Sequence, residues 1–513
     1  MKQYLLGIDI GTSSCKAAVF DRAGSALAFS TKSYPTERPL PGYAQQNPEE
    51  WWKAACEAVR ECLDNGKVSP GQIAGIGVDG QSWSAVPIGR SGEVLADSPI
   101  WLDTRSEEIC AFYNRKIGEK RIFAAAGNLL QPFYSTGKVL WFREYRPEIY
   151  KKTEQFLQSN SYLVLKLTGF CSQDLSQAYG YHWFHMEKGT WDEEMCRAFQ
   201  IPMNFLPKIS RCTDIIGTVT EKAAAECGLI PGIPVAAGGL DAACGALGAG
   251  VIHHGETQEQ GGQAGGMSIL SDRYCAEPSL ILSRHVTGNQ WLLQGGTTGG
   301  GGLMRWVEQE FAEEERQKGR NVGKSSLDLL NEEAGGIPPG SAGVVFLPYM
   351  AGERTPIWNP GAKGVIYGLD YSKTKAHLVR AAMEGVAFSL RHNLEAARKA
   401  GAEAGVLRSV GGAANSPLWM QIKADVTGNE IQVPGSDMAA TLGAAMLAGV
   451  GTGYYKNFEE AVKQTCSVKR SYRPDKSNKE IYDSNYKIYL DLYRQLKPVM
   501  NGGKDESSCS MCQ

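Results

Sequence analysis

The chain opens with a mostly apolar run, Tyr4–Ile10, then a Gly-Thr-Ser-Ser step, then a second run from Lys16 to Phe20. Asp21-Arg22-Ala23-Gly24 marks a turn before a third run, Ala26–Ser30. Short runs punctuated by turn residues predict a strand–turn–strand–turn–strand meander. The pattern then lengthens to a helical one over Pro48–Leu63, which starts behind the capping residue Asn47 with proline at its first position. Ile73–Val78 is unbroken enough to be a buried strand. Ser82–Ile88 and Glu93–Leu95, flanking Gly89-Arg90-Ser91-Gly92, predict a hairpin.

A second glycine-rich strand–turn–strand is expected over 257–270, similar to the opening in layout though not in residues, with the crossover near 251–255. From Lys375 to Arg398, residues Leu378, Ala381, Ala382, Val386 and Leu390 share one face at helical spacing. A strand then runs into Gly411-Gly412, and a helix begins near Pro417. The pattern gives two α/β halves, divided as 1–252 and 253–497, and a polar, disordered tail over 498–513.

A chain of 513 residues is too long for one ordinary core, which agrees with two domains. Its formal net charge of −2 argues against nucleic acid or an anionic membrane surface as the main partner. The opening apolar run is cut by Gly7 and Asp9, so it does not serve as a secretory signal, and no stretch approaches the ~18 apolar residues of a membrane helix. The expected location is the cytoplasm. The 13 cysteines show no framework spacing and are expected to be reduced. Cys509-x-x-Cys512 and His182-x-x-His185 lack the further ligands that would complete a metal site and are read as structural.

Four segments carry candidate chemistry. In Gly7-Ile8-Asp9-Ile10-Gly11-Thr12-Ser13-Ser14, a strand-end carboxylate precedes a tight turn. Gly11 lets backbone amides approach a phosphate, and Thr12 and Ser13 add hydroxyl donors. Asp9 repels phosphate unless a cation stands between them, and Mg²⁺ is the natural mediator. In Gly238-Gly239-Leu240-Asp241-Ala242, an acid embedded in small residues either caps a helix or accepts a proton from an attacking hydroxyl. Gln81-Ser82-Trp83-Ser84 together with Trp101-Leu102-Asp103-Thr104-Arg105 offers aromatic faces and polar groups to a sugar, against the plainer reading of core tryptophans and caps. Gly411-Gly412-Ala413-Ala414-Asn415-Ser416 is a turn into a helix N-terminus on which a nucleotide base and its phosphates can lie.

Taken in order, these segments resemble the FGGY family of carbohydrate kinases, on its xylulokinase-like branch, from Leu6 to about Gly449. The more specific resemblance is Tyr349-Met350-Ala351-Gly352-Glu353-Arg354-Thr355-Pro356, followed by Gly364–Leu369 and His377–Glu384. The resemblance implies two ribonuclease-H-like domains of the actin/Hsp70/hexokinase type with a cleft between them. Sugar would lie mainly on the first domain and ATP on the second. It implies Asp241 as catalytic base and Asp9 as the Mg²⁺ residue. Gly11, Thr12, Ser13, Lys16, Gly262, Gln263, Gly265, Gly411, Gly412, Asn415 and Ser416 would bind ATP, and Gln81, Ser82, Trp83, Asp103 and Asp241 the sugar. The implied reaction is ATP-dependent phosphorylation of a ketopentose such as xylulose or of a related ketose or polyol, with a homodimer compatible with it.

Two departures stand out. The second phosphate motif reads Gln260-Gly261-Gly262-Gln263-Ala264-Gly265-Gly266, without the family's hydroxyl, so Gln263 would donate through its amide. Ser82-Trp83 stands where the xylulokinase-like branch carries Met-His, so an indole replaces an imidazole. Two rival readings remain: an actin-like ATPase, and a sugar-binding sensor without catalysis.

Overall fold

A computed structural model describes residues 3–502. Two compact units interleave along the sequence. The first is Met1–His254, Leu270–Leu293 and Gly435–Ser467; the second is Gly255–Ile269, Gln294–Pro434 and Val468 onwards. The first crossover falls two residues beyond the expected 252, but two later segments return to the first unit. A linear reading of apolar pattern has no means of detecting that return.

In the first unit, β1 (Tyr4–Ile10), β2 (Ser14–Phe20) and β3 (Ala26–Ser33) form the antiparallel meander. Helix α1 (Pro48–Gly66) follows, with the Asn47 side chain accepting from the Glu49 amide at 2.9 Å. It buries Trp51, Ala55, Val59 and Cys62 at helical spacing and stops where Lys67 turns left-handed. β4 (Ile73–Gly80) then lies parallel to β1. Helices α2 (Ser135–Tyr145) and α3 (Ser159–Thr168) follow, and β5 (Ile215–Thr218) and β6 (Pro234–Ala236) complete the order β5-β6-β4-β1-β2-β3. Gly239-Leu240 pairs with the end of β4 and leads directly into α4 (Asp241–Gly248).

The returning helix Ala439–Gly451 packs on β1 and β4 at backbone distance. A Cβ on Gly7 would lie 2.1 Å from the Thr441 carbonyl oxygen, and one on Gly77 1.8 Å from that of Ala444. Only glycine permits this approach, which fixes the central strands beneath the site.

The hairpin expected at 82–95 is present in a shortened form. Ile88 bridges Val94 in antiparallel fashion, the Leu95 N–H donates to the Pro87 carbonyl at 3.0 Å and the Gly89 N–H to the Glu93 carbonyl at 2.9 Å, while Val86–Ile88 also pairs with Gln155–Leu157. Trp83 takes a left-handed backbone (φ 61°), so the first arm is strand only from Val86.

In the second unit, β7 (Thr257–Gly261) and β8 (Gly265–Ser271) form the second glycine-linked pair, with Gly261 opposite Gly265. Helices α5 (Gly301–Phe311), α6 (Ser326–Gly335) and α7 (Lys375–Lys399) follow. β9 (Leu407–Val410) lies parallel to β7, α8 (Pro417–Thr427) comes next, and β10 (Ile431–Pro434) and β11 (Val468–Tyr472) extend the sheet beyond β9. The last helix, α9 (Lys479–Met500), buries Tyr482, Tyr486 and Tyr489. It carries helical structure through Pro498 to Met500, past the point where the tail was expected to begin. Cys509, Cys512 and the rest of the expected tail lie outside the described residues.

Candidate active site

Three carboxylates meet at the C-terminal ends of adjacent strands of the first unit, where open α/β sheets bind their ligands. Asp9 is the penultimate residue of β1 and Asp79 of β4, and the parallel register sets them side by side. Gly239 pairs with Asp79, so Asp241 follows two residues beyond it, in the first turn of α4. The expectation that Asp241 caps a helix is close: Leu240 is the cap and Asp241 the first helical residue, its Oδ1 accepting the Ala242 amide at 2.6 Å.

Burial raises the Asp9 carboxyl above its ordinary range, opposed by contact with Asp79 and the charge of Lys16, its cross-strand partner on β2. Burial pushes Asp79 well above that range, and the charges of Asp9 and Asp241 add to the effect. Asp241 is raised to about 7, first by burial and then by the charge of Asp9, against the opposing pull of the Ala242 amide. Asp79 was not among the sequence-derived candidates, because it sits inside a run that reads as plain buried strand.

The turn after β1 is braced on several sides. Gly11 N–H donates to the Ser14 carbonyl at 3.0 Å, and Tyr34 Oη donates to the Gly11 carbonyl at 2.5 Å. Gln46 Nε2 donates to the Thr12 carbonyl at 2.6 Å. Trp101 Nε1 donates to Thr12 Oγ1 at 2.9 Å, so the tryptophan expected to face sugar also holds this turn. Ser13 is exposed.

Of the sugar-side residues, Gln81 is buried, donates from Nε2 to Gln46 at 2.9 Å and leaves its Oε1 without a donor. Ser82 accepts from Tyr179 Oη at 3.2 Å. Trp83 stacks among Phe133, Tyr134 and Tyr179 with ring centroids 4.6–5.7 Å apart. Its backbone N–H donates to Gln158 Oε1 and its carbonyl accepts from Lys138 Nζ, which also donates to the Phe133 carbonyl. Lys138 is wholly buried, which lowers its pKa to about 7. Asp103 accepts the Ala44 amide at 2.6 Å and is paired with Arg105, which locks the Trp101–Arg105 segment. His182 is likewise structural, held by Thr136 and the Leu129 carbonyl.

The second unit contains a cavity of about 690 Å³, within the size range of small-ligand sites. Gly262, Gln263, Gly412, Asn415 and Ser416 line it; Gly265 and Gly411, also expected to bind ATP, are not among its lining residues. Met304, Leu327, Met383 and Trp419 supply apolar surface suited to a flat base, and Arg305 and Lys324 add cations that the sequence reading did not single out. Ser416 spends its hydroxyl on capping α8 through the Trp419 amide and on Asn331. Gln263 Oε1 accepts from Arg305, and the Gln263 carbonyl accepts the Gly302 amide at 2.9 Å. Glu353 of the 349–356 signature lies outside this cavity. It accepts the Thr298 and Arg354 amides at 2.7 Å each, and burial raises it to about 7.

Oxygen donors with an excess of negative charge at Asp9 fit Mg²⁺, a hard cation that binds few carboxylates and keeps several waters. Among the described residues no group of three or more His, Cys, Asp and Glu side chains is set to hold a metal by itself, so ligands from phosphate and water would complete the shell. No helix among the described residues is long and apolar enough to cross a membrane.

Two ribonuclease-H-like domains, one with strand-end carboxylates and the other with a glycine-walled cavity, define an ATP-dependent phosphotransferase of the actin–hexokinase class. The chain belongs to the FGGY family of carbohydrate kinases: the N-terminal domain model of that family matches residues 4–248 and the C-terminal domain model residues 266–452. It is therefore a carbohydrate kinase that uses ATP with Mg²⁺. The xylulose kinase of Bacillus subtilis (strain 168) is 30% identical over 501 residues, covering 97% of this chain and 98% of that protein. The gluconokinase of the same organism is also 30% identical, covering 97% of each chain. The crystal structure of xylulose kinase from Rhodospirillum rubrum matches with a TM-score of 0.87 at 26% identity, over 97% of this chain and 100% of that one.

Proposed function

We propose that the protein phosphorylates a neutral ketopentose such as xylulose, with Asp241 as the general base. The observation that carries the assignment of Asp241 is its position, with a pKa of about 7, at the end of the strands beside Asp9. A carboxyl so poised accepts a proton from an alcohol as the alcohol attacks the γ-phosphoryl group, without being so strong an acid that it stays ionised and inert. Mg²⁺ bound with Asp9 would neutralise charge on the phosphate oxygens. Thr12, Ser13 and Lys16 would stabilise charge on the transferring group, and the 262–265 and 411–416 turns would hold the nucleotide.

Gluconate is the second reading, favoured by the gluconokinase relative. A sugar acid needs a cation for its carboxylate. The cations beside the Gln81–Trp83 loop are committed elsewhere: Arg105 to Asp103 and Gln45, Lys138 to two carbonyls. That supports the neutral sugar, with transfer placed in the cytoplasm where ATP is supplied.

The Asp241→Asn variant tests the assignment. An amide cannot take the proton, so kcat should fall by roughly 10²–10⁴ while sugar affinity, measured by calorimetry, stays within a few-fold. Turnover near wild type would overturn the base assignment.

A further inference from the structure

Asp79 lies next to the site and has no partner assigned. It is fully buried, and neither carboxylate oxygen receives a donor from the protein. A buried carboxylate without donors is costly and needs a counter-charge or a proton. The neighbouring groups sharpen the need. Asp9 stands beside it in the parallel register of β1 and β4, and Asp241 adds a third acid. Lys16, on the β2 side of Asp9, is the cation that acts on both Asp9 and Asp79. Three carboxylates against one ammonium leave a surplus of negative charge in a poorly solvated place.

We propose that Asp79 is a second carboxylate ligand of the divalent cation held at Asp9, so that the metal ties the end of β1 to the end of β4. This rests on the reading of Asp9 as the metal residue. Adjacent ligand oxygens on an octahedral Mg²⁺, each about 2.1 Å from the ion, lie about 3 Å apart. Paired residues on neighbouring parallel strands put their side chains on the same face of the sheet, so Asp9 and Asp79 are placed to share one cation. The plainer alternative is that Asp79 keeps a proton and donates it to Asp9. An asparagine at position 79 would preserve that donation, but it would not supply a charged oxygen to a metal.

The experiment is a Mn²⁺ titration of the full-length protein without nucleotide, followed by electron paramagnetic resonance, for wild type, Asp79→Asn and Asp9→Asn. Mn²⁺ should bind wild type at one site, and Asp79→Asn should weaken it by roughly 10–100-fold, as Asp9→Asn does. Melting temperatures in chelator establish that the variants are folded, and Asp79→Ser is read in the same way if the asparagine variant is not. Affinity within about twofold of wild type in the Asp79 variant, with Asp9→Asn weakened, would overturn the proposal and leave Asp9 as the metal residue. Unchanged affinity in both variants would overturn both readings.

Discussion

Asp241 combines two things a single residue seldom has: a backbone fixed in the first turn of α4, and a carboxyl that burial and the charge of Asp9 hold near neutral pH. The sign of its pH dependence follows directly. The base form is the deprotonated one, so kcat/KM for the sugar should be flat above about pH 7 and fall roughly tenfold per unit below it. A profile measured over pH 5.5–8.5 checks this, and the acid limb should disappear in Asp241→Asn against its own residual rate. Asp9 and Asp241 were legible in the sequence because each acid sits beside glycines at the end of an apolar run. Asp79 was not, since an acid inside such a run has no local signal, and only the β1–β4 register shows that it meets Asp9. Trp101 and Asp103 were read as facing sugar or as core and cap; the indole N–H pins Thr12, and the carboxylate holds Arg105 and the Ala44 amide. Thr12 and Ala44 are distant from them in sequence, which is why those two contacts could not be read from the segment itself.

At the scale of elements, the caps and periods were readable. Asn47 and Pro48 set the start of α1, and the face of Leu378, Ala381, Ala382 and Val386 set α7. What the pattern could not carry was a conformation imposed from outside, as at Trp83, where Lys138 and Gln158 hold the backbone. A second such case lies behind the glycine turn that lines the cavity of the second unit. Lys423 of α8 and Glu259 of β7 form an ion pair at 2.6 Å with side chains 1% and 4% exposed, and Ser409 Oγ donates to the other carboxylate oxygen. The ammonium lies 3.4 Å from where a Cβ on Gly261 would stand, so the pair braces the glycine turn from behind. Lys423→Met leaves Glu259 buried without its cation and should cost about 3–5 kcal/mol in chemical unfolding. Replacing both partners, Glu259→Leu with Lys423→Met, should recover most of that loss, because the uncompensated charge is gone. A double variant no more stable than the single one would show that the pair is not the source of the cost.

At the scale of the molecule, the interleaved chain explains why domain limits were the least readable feature. The helix Ala439–Gly451 lies almost two hundred residues beyond the first crossover, yet it is the element that packs on Gly7 and Gly77. Its near-total burial matches the apolar, small-residue character of its sequence, but nothing local says which sheet it covers. The family of the chain was nonetheless readable, because the order of short motifs survives whatever the path between them. Membership defines a carbohydrate kinase, and the structure then narrows the question to which carbohydrate and by what residues. ADP release measured with and without sugar, over a panel that includes D-xylulose, other ketoses, polyols and D-gluconate, tests this most directly. ADP should form with a neutral ketopentose in amounts equal to the sugar phosphate produced, and only marginally without sugar. ATP consumption independent of any sugar, or sugar binding with no phosphorylated product across the panel, would contradict the account.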